Sequence, residues 1–206
     1  MAKKSISDLS GFSLFIFDLD NTIYNEEEYL FQAYGAICDH FAGSGRQYDK
    51  RSFLKLMLDI YNQEGRDKLF DKFLSRSGLG INNLPECLKI LRTFDPERKI
   101  KLFPETEKIL KYLIDREKKV FVLTNGNPVQ QRNKIRSLLW NNLDSKIIFI
   151  LANEIEPKPS PAGVVHILEI TGIAKEKTIF IGDSPVDSEC AFAGGIQFIN
   201  IADLKS

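Results

Sequence analysis

An α/β fold, in which a parallel sheet is interrupted once by an all-helical insertion, is predicted by three observations. Five short runs, at 14–20, 119–125, 147–153, 178–183 and 197–202, are apolar almost throughout, as strands buried on both faces must be. From the second run onward they alternate with segments of helical periodicity, the pattern of a Rossmann-like sheet covered by helices. Between the first and second runs roughly a hundred residues stand where a single crossover helix needs only about a dozen, so something is inserted there.

Taken in order, the first run, Leu14 onward, stops at two acids, Asp18 and Asp20, before a polar turn. Residues 27–94 show only helical stripes. Leu30, Phe31, Tyr34, Ile37, Cys38 and Phe41 form one, and Phe53, Leu54, Met57, Ile60 and Tyr61 the next. Leu69, Phe70, Phe73 and Leu74, then Leu84, Leu88 and Leu91, continue the series. Turns are expected at Gly43-Ser44-Gly45 and Gly78-Leu79-Gly80. The expectation is a small domain of about four helices over 25–96, with 1–24 plus 97–206 forming the sheet domain. Beyond it, Ile109, Leu110 and Leu113 stripe a helix over 105–117, and another follows Pro128. A helix over 160–171 is expected to start with Ser160 as N-cap and Pro161 at its first position, and to end at Gly172.

Composition narrows the partners. The 206 residues, 43% hydrophobic, suffice to bury a substantial core. With 28 basic and 28 acidic residues the net charge is zero, so no global field recruits nucleic acid or an anionic membrane. A small-molecule partner is the default. Cys38, Cys87 and Cys190 are odd in number and widely spaced, which suits buried, reduced thiols rather than a disulfide framework or zinc site. The polar stretch before Ser10 does not resemble a signal peptide, and no apolar run approaches a membrane-spanning length. The expected location is the cytoplasm.

In an open parallel sheet, ligands bind outside the carboxyl ends of the strands. The first run delivers Asp18 and Asp20 to that edge, the second Thr124, Asn125 and Gly126, and the fourth Gly182, Asp183 and Ser184. Lys158 follows the third run, within Glu-Pro-Lys-Pro-Ser-Pro. These residue types suit phosphoryl transfer. Mg²⁺ takes one or two carboxylates from protein, for which Asp18 and Asp183 are the natural pair. A carboxylate held against a cation can attack phosphorus, and Asp18 closes the buried strand. Asp20, two residues on along an extended chain, could protonate the leaving oxygen and later deprotonate water. Thr124 and the N–H groups of Asn125 and Gly126 can cradle phosphate oxygens, while Lys158 offsets their charge. Asp187 would hold the cation's waters, orient Lys158, or simply cap the following helix.

The chain resembles the haloacid dehalogenase-like (HAD) hydrolase superfamily. Its four motifs appear in order as Asp18-Leu19-Asp20-Asn21-Thr22, Thr124, Lys158 and Gly182-Asp183-Ser184-Pro185-Val186-Asp187. The helical insertion falls between the first two, as in the subfamily with a helical cap. The resemblance implies a Mg²⁺-dependent phosphatase working through a phosphoaspartate. Asp18 would be the nucleophile, Asp20 the acid/base and Asp183 a metal ligand, with Asp20 also reaching the metal through its backbone carbonyl. The second acid argues against the founding dehalogenases, which lack it.

Three other readings compete. A receiver-type signalling module gathers Asp, Thr and Lys at the same edge, but the third run ends in Ala152 and Asn153, not in an acceptor Asp, and that fold has no place for a helical insertion. A phosphomutase on this scaffold would return the phosphoryl group to its sugar. An idle binding protein is disfavoured because no motif residue is missing. The sequence does not choose among sugar phosphates, phosphoglycolate and nucleoside monophosphates, nor does it fix the oligomeric state. Asn25, Tyr29 and Arg92 are candidate substrate contacts from the inserted region.

Overall fold

The structure, a computed structural model, describes residues 4–42 and 49–205, so the turn expected at Gly43-Ser44-Gly45 lies outside the described residues. The chain divides into two compact units. Residues Met1–Glu26, Lys99–Gln131 and Leu138–Ser206 make one; Glu27–Arg98 and Arg132–Ser137 make the other.

The second unit is helical and contains the expected stripes. Its helices are α1 (Glu26–Ala42), α2 (Lys50–Glu64), α3 (Leu69–Arg76) and α4 (Leu84–Thr93). Asp49 caps α2 by accepting from Ser52 N–H at 2.7 Å, and Pro85 stands in the first turn of α4, where its missing N–H costs nothing. Phe53, Met57 and Ile60 of α2 bury against Phe73 and Leu74 of α3, with the Phe53 and Phe73 rings edge to face at 5.7 Å. The last stripe is the exception. Leu84, Leu88 and Leu91 line an open hollow of about 280 Å³ and are only half-buried, and Cys87 is the buried residue of α4. Tyr29, a candidate substrate contact, is fully buried and donates its hydroxyl to Phe94 O at 2.9 Å.

The first unit is built on five parallel strands: β1 (Leu14–Phe17), β2 (Lys119–Thr124), β3 (Ile147–Leu151), β4 (Thr178–Gly182) and β5 (Gln197–Asn200). Their spatial order is β3-β2-β1-β4-β5. The chain thus starts at the centre, steps outward twice, and reverses to the other side. That reversal puts a topological switch between β1 and β4, where open α/β sheets bind ligands. Its helices are α5 (Pro104–Ile114), the first turn of α6 (Pro128–Ser137), whose residues Arg132–Ser137 belong to the other unit, α7 (Ala162–Thr171) and α8 (Pro185–Gly194). Leu14, Ile16, Phe121, Leu123 and Phe180 face Val164 and Ile167 of α7 and Cys190 and Ala191 of α8. Intervening strand residues point to the opposite face, as the pleat requires, so all four positions of β1 are buried. Among the described residues, no helix is long and apolar enough to cross a membrane.

Several ends differ from the apolar runs. The ladder of β1 stops at Phe17, one residue before Asp18, although Asp18 N–H still donates to Ile181 O at 2.9 Å. Beyond it the chain is not extended: Asn21 adopts φ of +58° and turns it, with Asp20 bridging to Tyr24. The third and fifth runs end early because Ala152–Glu154 and Ile201–Asp203 tighten into 3₁₀ turns. Helix α7 begins at Ala162 rather than at residue 160, yet Ser160 Oγ does accept from Ala162 N–H at 3.2 Å, and Gly172, in the left-handed region, ends it as expected. Two parallel pairs of very short strands were not legible in the sequence: Lys4–Ser5 with Leu204–Lys205, and Ile100–Lys101 with Leu138–Leu139.

Candidate active site

A cavity of about 270 Å³ opens at the carboxyl edge of the sheet, lined among others by Asp18, Asp20, Thr124, Lys158, Asp183 and Asp187. The register explains this convergence. Phe17 is level with Val122 and Ile181, so the residues that follow in all three strands emerge side by side. Residues far apart in the chain, such as Asp18 and Lys158, become neighbours because parallel strands all end on one edge.

Lys158 is the hub. Its Nζ lies 2.5 Å from Asp18 Oδ1 and 2.6 Å from Asp187 Oδ1, and the ammonium is almost wholly buried. A buried charge is tolerated only when paired, and here it has two partners. Burial alone would lower the Lys158 pKa; the two carboxylates outweigh it and hold the ammonium above its ordinary value. For Asp18 burial wins. It pushes the carboxyl up to about 7 against the pull of Lys158, with Asp187 and Asp20 adding repulsion. Asp183 is also raised, by burial first and then by Asp187.

The backbone of Lys158 is fixed as firmly as its side chain. Asn125 Nδ2 donates to Lys158 O, and Asn125 Oδ1 accepts from Lys158 N–H, both at 2.8 Å. The amide of Asn125 thus clamps the peptide of Lys158, joining the loop after β2 to the loop after β3. Gly126, expected to offer its N–H to phosphate, instead donates it to Asn153 Oδ1 at 2.7 Å and does not line the cavity.

Asp187 stands at the third position of α8, and Ser184, not Asp187, is the N-cap. The pair forms a capping box: Ser184 Oγ accepts from Asp187 N–H at 3.3 Å, and Asp187 Oδ2 accepts from Ser184 N–H at 3.2 Å and from its hydroxyl at 2.7 Å. Asp187 therefore serves the helix end with one oxygen and Lys158 with the other. Gly182 makes room for it, since a Cβ there would lie 2.5 Å from Asp187 Oδ2.

Asp20 faces a different environment. Tyr24 OH donates to its Oδ1 at 2.7 Å, and Gln131 Nε2 to its Oδ2 at 3.1 Å. The sequence marks Tyr24 only as the last residue of the expected 1–24 segment and gives Gln131 no role. Tyr24, four residues after Asp20, reads as one more aromatic among many. Gln131 carries a faint signal, a polar residue one turn into a helix whose amino end abuts the Thr124 loop.

The acids fit a hard divalent cation. Asp18, Asp183 and Asp187 each offer a carboxylate oxygen within 4.8 Å of the others. Oxygen-only donors suit Mg²⁺ and not a soft transition metal. Burial first, and then repulsion from Asp187, raises Asp18 and Asp183, and a bound cation would offset both effects by favouring the charged carboxylates. Because both oxygens of Asp187 are engaged, Asp18 and Asp183 are the freer pair. The carboxylate of Asp20 lies outside this cluster, with Tyr24 and Gln131.

A Rossmann-like sheet that gathers paired acids, a hydroxyl and a buried lysine at its topological switch is the framework of a hydrolase class. The chain belongs to the haloacid dehalogenase-like hydrolase family, whose model matches residues 15–201. Solved structures share the fold. A HAD-superfamily hydrolase of subfamily IA, variant 1, from Geobacter sulfurreducens PCA superposes with a TM-score of 0.61 at 19% identity, over 92% of this chain and 87% of that one. A protein from Lactobacillus delbrueckii subsp. bulgaricus, provisionally described as a phosphoglycolate phosphatase, gives 0.59 at 17% identity over 92% and 85%. One from Thermotoga maritima, provisionally described as a β-phosphoglucomutase, gives 0.56 at 20% identity over 90% and 83%. At these identities the likeness extends to the fold.

Proposed function

We propose that this protein is a Mg²⁺-dependent phosphatase that hydrolyses a small phosphate monoester through an aspartyl phosphate on Asp18. The observation that carries the reading is the buried Lys158 ammonium, which joins Asp18 and Asp187 inside a cavity that also holds Asp20 and Thr124. Asp18 and Asp183 would hold the cation, which when bound supplies charge to draw the phosphate in and to offset what builds on its oxygens.

Each step then falls to a named residue. An Asp18 oxygen attacks phosphorus, and the bond from phosphorus to the leaving oxygen breaks. Asp20, in protonated form, gives its proton to that oxygen. Asp20, now a carboxylate, takes a proton from the attacking water, and the bond from phosphorus to Asp18 breaks, releasing phosphate. Lys158 offsets charge on the transferring group throughout, and the Thr124 hydroxyl donates to one of its oxygens. Asp187 keeps Lys158 in place.

The proposed substrate is a sugar phosphate, phosphoglycolate or a nucleoside monophosphate. The free, buried state of Cys38, Cys87 and Cys190 supports work in a reducing cytoplasm. A panel of phosphorylated metabolites with Mg²⁺, scored for inorganic phosphate, tests the reading. Release from at least one ester is expected. Phosphate moved within a sugar without release would make the protein a mutase, and a stable phosphoprotein without turnover would make it an acceptor module.

A further inference from the structure

We infer that Gln131 is a positioning residue that links phosphate binding at Thr124 to proton transfer at Asp20, an inference that rests on the phosphatase reading above. Gln131 stands on α6 with its side chain buried, 2% exposed, and the two hydrogens of its Nε2 meet three acceptors in the site, so one hydrogen is shared between two of them. These are Thr124 Oγ1 at 2.6 Å, Asn125 O at 2.6 Å and Asp20 Oδ2 at 3.1 Å. The amide orientation is settled by chemistry. A carboxylate and a carbonyl carry no hydrogen, so the nitrogen and not the oxygen of Gln131 must face them.

Two consequences follow from this geometry. Because Thr124 Oγ1 accepts from Gln131, its own hydrogen must point elsewhere, and it meets Asn125 O only at 3.4 Å. So long a bond is readily exchanged for a phosphoryl oxygen, and a hydroxyl that accepts one hydrogen bond donates the next more strongly. Gln131 thus presets the Thr124 hydroxyl as a donor to phosphate. At Asp20, Gln131 holds one carboxylate oxygen while Tyr24 OH holds the other, which fixes the plane of the acid/base group. The loop is shaped for this contact. Gly126, at φ +127°, brings its backbone so close that a Cβ would lie 3.2 Å from Gln131 Cδ.

Gln131→Met keeps the length and removes the donor; Gln131→Glu keeps the shape and cannot donate when ionised, and stands in should the first variant fold poorly by circular dichroism. Two measurements are made with Mg²⁺ present. Inorganic phosphate binding, read by calorimetry, should weaken about 3- to 10-fold, the worth of one hydrogen bond. With an alkyl phosphate ester kcat should fall roughly 10- to 100-fold from misplaced Asp20, with a smaller fall for an aryl ester that needs no proton on departure. Placed on Asp20→Asn, the Gln131 substitution should cost little more in kcat, because it acts through the missing acid. Phosphate affinity within twofold of wild type, or a loss equal for both esters and additive with Asp20→Asn, would overturn the link and leave Gln131 a packing residue. A wild-type protein that releases phosphate from no ester refutes the phosphatase reading instead, and the calorimetric comparison still decides the Gln131–Thr124 link.

Discussion

Asp18 and Asp20 carry the same side chain two positions apart, and their neighbours give them different work. Asp18 meets an ammonium, whereas Asp20 meets a phenol and an amide. Asp18→Asn should form no acyl phosphate with any ester, read by mass spectrometry of the acid-quenched protein for an added phosphoryl group on the peptide containing Asp18. Asp20→Asn should lose about 10²- to 10⁴-fold per proton-assisted step, and with an aryl phosphate it should accumulate the phosphoenzyme, since departure survives better than hydrolysis. An Asp20→Asn protein that turns over alkyl phosphates at the wild-type rate would show the two acids to be misassigned. Excess EDTA should abolish activity and added Mg²⁺ restore it. Asp183→Asn should weaken Mg²⁺ binding, by titration calorimetry, together with activity, while its melting temperature holds or rises because a neutral amide relieves repulsion from Asp187. Undiminished turnover in EDTA would remove the cation from the mechanism.

At the scale of the element, the end of β4 and the start of α8 form one device. Gly182 closes the strand, Ser184 caps the helix, and Asp187 turns from that cap to Lys158. Ser184→Ala removes the capping bonds and should cost about 1 kcal/mol in urea unfolding. It should also lower kcat, because Asp187 Oδ2 loses the Ser184 hydroxyl and keeps only the Ser184 N–H to orient it. Gly182→Ala forces a methyl against Asp187 and should destabilise by about 1–3 kcal/mol, the usual range for overpacking. A Gly182→Ala protein with unaltered stability and activity would mean that Asp187 moves freely, contrary to its place between Ser184 and Lys158.

At the scale of the whole molecule, the buried thiols report on both units. Burial pushes Cys38 and Cys87, in the helical unit, up to about 12, and Cys190, in the sheet unit, up to about 11, from 9.0. The sign follows from the raised folded-state values: the stability these protonated thiols contribute is complete below pH 9.0 and is lost as pH rises towards 11 and 12. The melting temperature should therefore fall above about pH 9, and replacing all three cysteines with alanine should flatten that fall, read by scanning calorimetry. Under native conditions at neutral pH none of the three should react with iodoacetamide. Along a urea series, alkylation of Cys190 should track the fluorescence of Trp140, which is buried in the same unit, while Cys38 and Cys87 follow the helical unit. Alkylation of any of them in the native protein would contradict its burial.

The sequence by itself determined the fold class, because both-face burial forces a central strand such as Leu14–Phe17 to be apolar throughout, and period-3.6 stripes force helices. It also named Asp18, Thr124 and Asp183, since these residues stand at strand ends and strand ends are legible in an apolar pattern, while Lys158, in the loop after β3, was named by its place in the order of the motifs. What lay beyond local pattern was left to the tertiary structure. The 3₁₀ turns after β3 and β5 begin with Ala152 and with Ile201 and Ala202, apolar like the strands before them, so the pattern did not separate strand from turn at those residues. The half-exposure of Leu84, Leu88 and Leu91 depended on what packs opposite them. The partners of Asp20, the clamp of Asn125 on Lys158, and the diversion of the Gly126 N–H to Asn153 are contacts between segments distant in sequence or turned by a loop. A polar side chain such as Gln131 carries no mark of its partners until folding removes the water that would otherwise bind it, and only then does its hydrogen-bonding capacity oblige it to choose.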